Sequence, residues 1–162
     1  MPSDISSAEY AHKLSIQADK LDETGHYREA FKLWLVAAKL GDTGAQLNLG
    51  NYYADGKGTK KDLSEAERWY RKAYKAGEPG GANNLACDKR DSGNYRAAIL
   101  WFKKALALDE GGAAVELAKI YLKRNQQKLA IAALKQALAM DPSLLTEYER
   151  ETADAMIQKL TS

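Results

Sequence analysis

The 162-residue sequence predicts an all-α fold of about four helix-turn-helix repeats closed by a further helix. Three observations carry this. A segment of the form alanine, aromatic or large apolar residue, alanine recurs at 30–37, 66–73, 98–105 and 130–137. Its leading residues Ala30, Ala66, Ala98 and Ala130 lie 36, 32 and 32 residues apart, the range of helix-pair repeats. A second small residue stands twelve positions upstream in three copies, as Ala18, Ala86 and Ala118, which implies a partner helix in each unit.

Within each copy the three- and four-residue spacing puts alanines and large apolar residues on one helical face. Two helices approach closely where a side chain is small, and a bulky neighbour fills the space beside it. Trp34, Trp69 and Trp101 lie in this register, so core packing explains them better than an aromatic cage.

The units fall at about 8–42, 43–79, 80–110 and 111–142, within one repeat domain over 1–162. In the first, Gly25-His26-Tyr27 turns the chain between its helices. The second has a longer inner loop, since Gly50 to Ala66 is sixteen residues where Ala18 to Ala30 is twelve. Gly93-Asn94-Tyr95 turns the third, and in the fourth Leu134 stands where an aromatic is usual. Asp42, Glu110 and Asp141-Pro142 mark handovers, with Pro142 suited to a first helical turn. A last helix over 144–160 places Leu145, Tyr148, Ala153, Met156 and Leu160 near one face, as expected of a cap over an array's bare end; a partner- or self-binding helix is the alternative.

The pattern resembles the tetratricopeptide-repeat family, and its second unit resembles the Sel-one-like subclass. That unit carries Leu49-Gly50, Gly56-Lys57-Gly58, Asp62, Ala66, Trp69-Tyr70 and Ala73 in the subclass order. The other units follow the shorter tetratricopeptide spacing. The resemblance, over roughly 8–142, implies a right-handed α-solenoid whose concave groove is lined by the first helix of each unit. Carried onto this chain, the groove includes Asp19, Asn51, Cys87 and Lys119 just after the small landmark. Ser15, Leu47, Asn83 and Val115 lie three before it, and Arg90 and Lys123 one turn further on.

The candidate partner-binding residues are Asp19, Asp22, Asn51, Asn83, Arg90, Lys119 and Lys123, running from acidic through polar to basic. The alternative is that these charges only solvate helical faces. Asparagine is a poor helix former, so Asn51 and Asn83 inside helices suggest hydrogen bonding to a bound peptide backbone, unless Asn83 lies near a helix start. Carboxylates in unit one, where a clamp for a chain terminus needs cations, argue against a chaperone-tail binder. Residues 57–104 also hold twelve Lys or Arg against six Asp or Glu, spread over helices, with Arg68, Arg71, Lys72, Lys75, Lys103 and Lys104 on second helices.

Twenty-four basic and twenty-two acidic residues leave a charge of +2, which favours neither nucleic acid nor an anionic membrane. One cysteine, Cys87, and two histidines, His12 and His26, offer neither an internal disulfide nor a metal-ligand pattern. No catalytic motif is present, and 55–61 fails the spacing of a phosphate-binding loop. With no signal-like or membrane-spanning apolar run, a cytoplasmic protein without cofactor or metal is expected. The resemblance implies an adaptor or regulator that binds a peptide or helix of another protein. A dedicated chaperone or immunity-type protein that occludes one effector is the alternative; an enzyme is less expected. A monomer is expected, with a homo-oligomer left open.

Overall fold

A computed structural model describes residues 6–162. Among the described residues there are nine α-helices, one 3-10 turn and no strand. The helices are α1 (Ser7–Glu23), α2 (Tyr27–Lys39), α3 (Thr43–Asp55), α4 (Leu63–Lys75), α5 (Pro79–Asp91), α6 (Tyr95–Leu106), α7 (Gly112–Lys123), α8 (Gln127–Ala139) and α9 (Glu147–Thr161). Most starts are chemically specified. The Asp42 carboxylate accepts from the Ala45 N–H at 2.7 Å, and Asp62 accepts from Ser64 and Glu65 at 3.0 Å. Such caps satisfy amide donors that have no partner inside the helix.

The chain forms two compact units, one ending at Gly81 and the other running from Ala82 to Ser162. In the first, α1 packs on α2, α2 on α3 and α3 on α4. Its core joins Ala18, Ala30, Ala45 and Leu49 to the rings of Trp34, Tyr52 and Trp69. The small-against-large expectation holds in detail: a Cβ on Gly50 of α3 would overlap the Tyr70 ring of α4.

In the second unit α7 packs on α6, α8 and α9, and α8 on α9. Ala86, Ala98, Phe102, Ala118, Ala130 and Leu134 are fully buried there. All three tryptophans are core residues, none more than 5% exposed. Second-helix cations lie over two of them, with Lys72 Nζ 4.2 Å from the Trp69 ring and Lys104 Nζ 4.1 Å from that of Trp101. Arg68 and Arg71 pair with Glu65 and Glu67 on their own helix.

Three details depart from the sequence reading. The closing helix starts at Glu147, because Pro142–Leu144 forms a 3-10 turn and Thr146 then makes a reciprocal capping box with Glu149. Tyr148, expected on the buried face, is 75% exposed, while Leu145 and Ala153 are buried. Ser15 and Val115, assigned to the groove by register, are buried as well. No helix among the described residues is long and apolar enough to cross a membrane.

Candidate partner-binding surfaces

In the first unit, α1 and α3 bring Asp19, Asp22 and Asn51 to one cavity of about 280 Å³, shared with Tyr52, Asp55 and Lys57. Asp22 accepts a hydrogen bond from the Tyr52 hydroxyl and pairs with Lys57 at 2.6 Å. The Lys57 ammonium also lies 4.4 Å from the Tyr27 ring centre and 5.4 Å from that of Tyr52. Hydrogen bonding, first from Lys57 and then from Tyr52, holds the Asp22 carboxyl below the usual carboxylate range. Asp19 moves the other way, raised first by burial and then by the negative charge of Glu23 and Asp22. Burial, and then Asp22, pushes the Tyr52 phenol far up.

Lys57 reaches this place because its loop lies against the start of α2. Gly58, at φ +67°, passes so close to the Tyr27 carbonyl that a Cβ would overlap it. The long inner loop of the second repeat thus carries a cation onto the first. Asn51 has an internal use, since its carbonyl accepts from the Tyr70 hydroxyl at 2.8 Å. The stability cost of an asparagine in α3 therefore has an explanation that needs no bound peptide.

In the second unit, α5, α7 and α9 line a cavity of about 340 Å³ with Asn83, Arg90, Glu116, Lys119, Tyr148 and Thr152 among its walls. Asn83 is well inside α5, which begins at Pro79. The closing helix reaches the cavity because Gly112 has no side chain, and a Cβ there would overlap the Glu149 carboxylate. A neighbouring cavity of about 530 Å³ is lined by Arg90, Asp91, Tyr95, Glu116, Lys119 and Lys123.

The cations here are compensated. Lys119 Nζ lies 2.6 Å from Glu116, whose other carboxylate oxygen accepts from the Arg90 guanidinium. Arg90 also donates to Asp91 at 2.8 Å, and these carboxylates, Asp91 foremost, raise its already high pKa. Lys123 donates to the Tyr95 hydroxyl at 2.5 Å. The basic end of the expected gradient is thus offset by Glu116 and Asp91. Cys87 is half-buried on the first cavity's wall, where burial raises its thiol pKa. Such a thiol is a weak nucleophile.

Lys57, Glu116 and Tyr148 were not among the residues expected at these surfaces. Helical spacing of three could have flagged Glu116 beside Lys119. Its contact with Arg90, like the position of Tyr148 beside α5, exists only in the folded chain.

The fold and these surfaces define an all-α helical-repeat protein of the solenoid class. The chain belongs to the Sel1 repeat family: that family's profile matches residues 27–42, 43–78 and 82–110, half of the sequence. The tetratricopeptide repeat profile matches 112–144. The third unit, which by spacing resembled the tetratricopeptide form, is thus matched as a Sel1 repeat. Repeats of both kinds are in general scaffolds for protein–protein interaction and typically non-catalytic.

Among solved structures, a Sel1 repeat protein from Oxalobacter formigenes is similar at 19% identity and TM-score 0.72, over 93% of this chain and 72% of its own. MamA is similar at 17% identity and TM-score 0.63, over 94% and 87%. The nearly identical TPR-like repeats of a putative kinesin light chain from Podosopora anserina are similar at 15% identity and TM-score 0.63, over 96% and 87%. These likenesses establish the fold. No curated protein matches the sequence.

Proposed function

We propose that this protein is an adaptor or regulatory module that receives a peptide or helix of one protein partner on first-helix surfaces of its repeats. The observation that carries this reading is the meeting of Asn83, Arg90, Lys119 and Tyr148, from three separate helices, around one cavity. A cavity of about 340 Å³ with a few polar groups and an exposed aromatic at its edge suits one or two side chains of a bound segment. The Asn83 side chain has no hydrogen-bond partner among the described residues, so its carboxamide is available to a peptide backbone. Asp19, Asp22 and Asn51 form the corresponding surface in the first unit.

The test is affinity capture of the full chain from its own source, repeated with Lys119→Glu and Lys123→Glu together. A stoichiometric partner retained by the native chain and lost by the variant, at unchanged melting temperature, supports the reading. A partner indifferent to the reversal overturns it.

A further inference from the structure

One carboxylate in the second unit holds two cations. Glu116, on α7, has one oxygen 2.6 Å from Lys119 Nζ and the other accepting from the Arg90 guanidinium. All three residues line both cavities described above, so this bridge stands where the two meet. Nearby, the Lys123 ammonium has a neutral phenol, Tyr95, as its hydrogen-bond acceptor.

Two cations converging on a single carboxylate from different helices make the geometry of a bound anion, here supplied by the chain itself. The arrangement is open to exchange. The side chains of Arg90, Glu116 and Lys119 are 31%, 23% and 52% exposed, and ion pairs at such exposure are weak because water screens them. Arg90 keeps its second partner, Asp91, whichever carboxylate it meets on the other side.

We propose that Glu116 is an internal occupant of an anion site, and that an acidic side chain of the partner competes with it for Arg90 and Lys119. The inference rests on the reading that this unit binds a protein partner, and it specifies the chemistry of the bound segment: aspartate or glutamate at the junction of the two cavities. It also gives Glu116 a role as a restraint. The built-in carboxylate lowers affinity for every acidic segment alike, so charge alone gives weak binding and a segment needs further contacts in the neighbouring cavities to be held.

The experiment uses a fluorescently labelled peptide of six glutamates, with a peptide of six lysines as control. Each is titrated by anisotropy against the full chain and its Glu116→Gln, Glu116→Ala and Lys119→Gln variants at low and physiological salt. Both Glu116 variants are expected to bind hexaglutamate at least about threefold more tightly than the native chain at low salt, the scale of one exposed charge pair. The gain should shrink at higher salt, and Lys119→Gln should weaken binding. Hexalysine should show no such gain. Glu116 variants that bind no better than the native chain while Lys119→Gln binds less would show that Glu116 is not a competitor, leaving the proposed function standing. Hexaglutamate that binds no variant would exclude the anion site altogether. Failure of the proposed function itself appears separately, as partner capture indifferent to the Lys119 and Lys123 reversal.

Discussion

The ammonium of Lys57, in the loop between α3 and α4, lies 2.6 Å from the carboxylate of Asp22 near the end of α1. The same carboxylate accepts from the Tyr52 hydroxyl, thirty residues away in sequence. One aspartate therefore ties the long loop and α3 of the second repeat to the first. Removing either partner should have unequal effects. Asp22→Ala leaves the phenol of a buried tyrosine without an acceptor and is expected to cost about 1–3 kcal/mol in urea unfolding. Lys57→Met removes a pair that is about one-third exposed and is expected to cost about 1 kcal/mol or less. Equal losses would mean that the tyrosine bond contributes nothing beyond the ion pair.

The same network makes a pH prediction. The Asp22 pKa is depressed in the folded chain, so the unfolded chain binds its proton more readily and this group's contribution to stability rises with pH. The contribution is complete above the ordinary carboxylate value of about 3.9 and is lost as pH falls from there through the depressed folded value. Asp19, with a raised folded pKa, acts oppositely: its charged form disfavours folding at neutral pH, and that cost fades as pH falls through the raised value. Thermal unfolding followed from pH 7 to 2 should therefore show a shallower acid loss for Asp22→Asn than for the native chain. An unchanged profile would place the acid sensitivity elsewhere.

Gly58 and Gly25 share a positive φ but not their surroundings. A Cβ at Gly25 meets nothing within 4 Å, whereas one at Gly58 overlaps the Tyr27 carbonyl. Gly25→Ala is expected to cost about 1 kcal/mol, the backbone term alone. Gly58→Ala adds displacement of the loop and should cost about 1–3 kcal/mol. Circular dichroism melts of the two variants separate backbone strain from loop docking; equal shifts would deny the close approach a role.

Ala86 on α5 is fully buried. Ala86→Leu should overpack its surroundings and lower stability by about 1–3 kcal/mol in denaturant unfolding, with the protein remaining helical. A neutral result would show that α5 has room the buried alanine does not suggest.

The sequence was sufficient for the all-α repeat class, the glycine turns and the buried tryptophans, because each follows from spacing within a few residues. Helical periodicity puts Ala30, Trp34 and Ala37 on one face whatever else the chain does, and Gly25 and Gly93 do adopt the positive φ expected of helix-ending turns. The candidate residues were legible only as types. Asp19 and Asp22 read as acidic and Arg90 and Lys119 as basic, but their compensation did not.

Sequence by itself determined which segments form helices and which residues are small enough to let them pack. Tertiary structure alone decided that Lys57 lies against Asp22, that Glu116 closes on Arg90 across twenty-six residues, and that Tyr148 leaves the cap's buried face for the edge of a cavity. The reason is one of range. Helix formation and turn chemistry are governed by residues three or four positions apart, whereas a charge finds its partner only after loop lengths and close approaches such as those at Gly58 and Gly112 have fixed which distant segments meet.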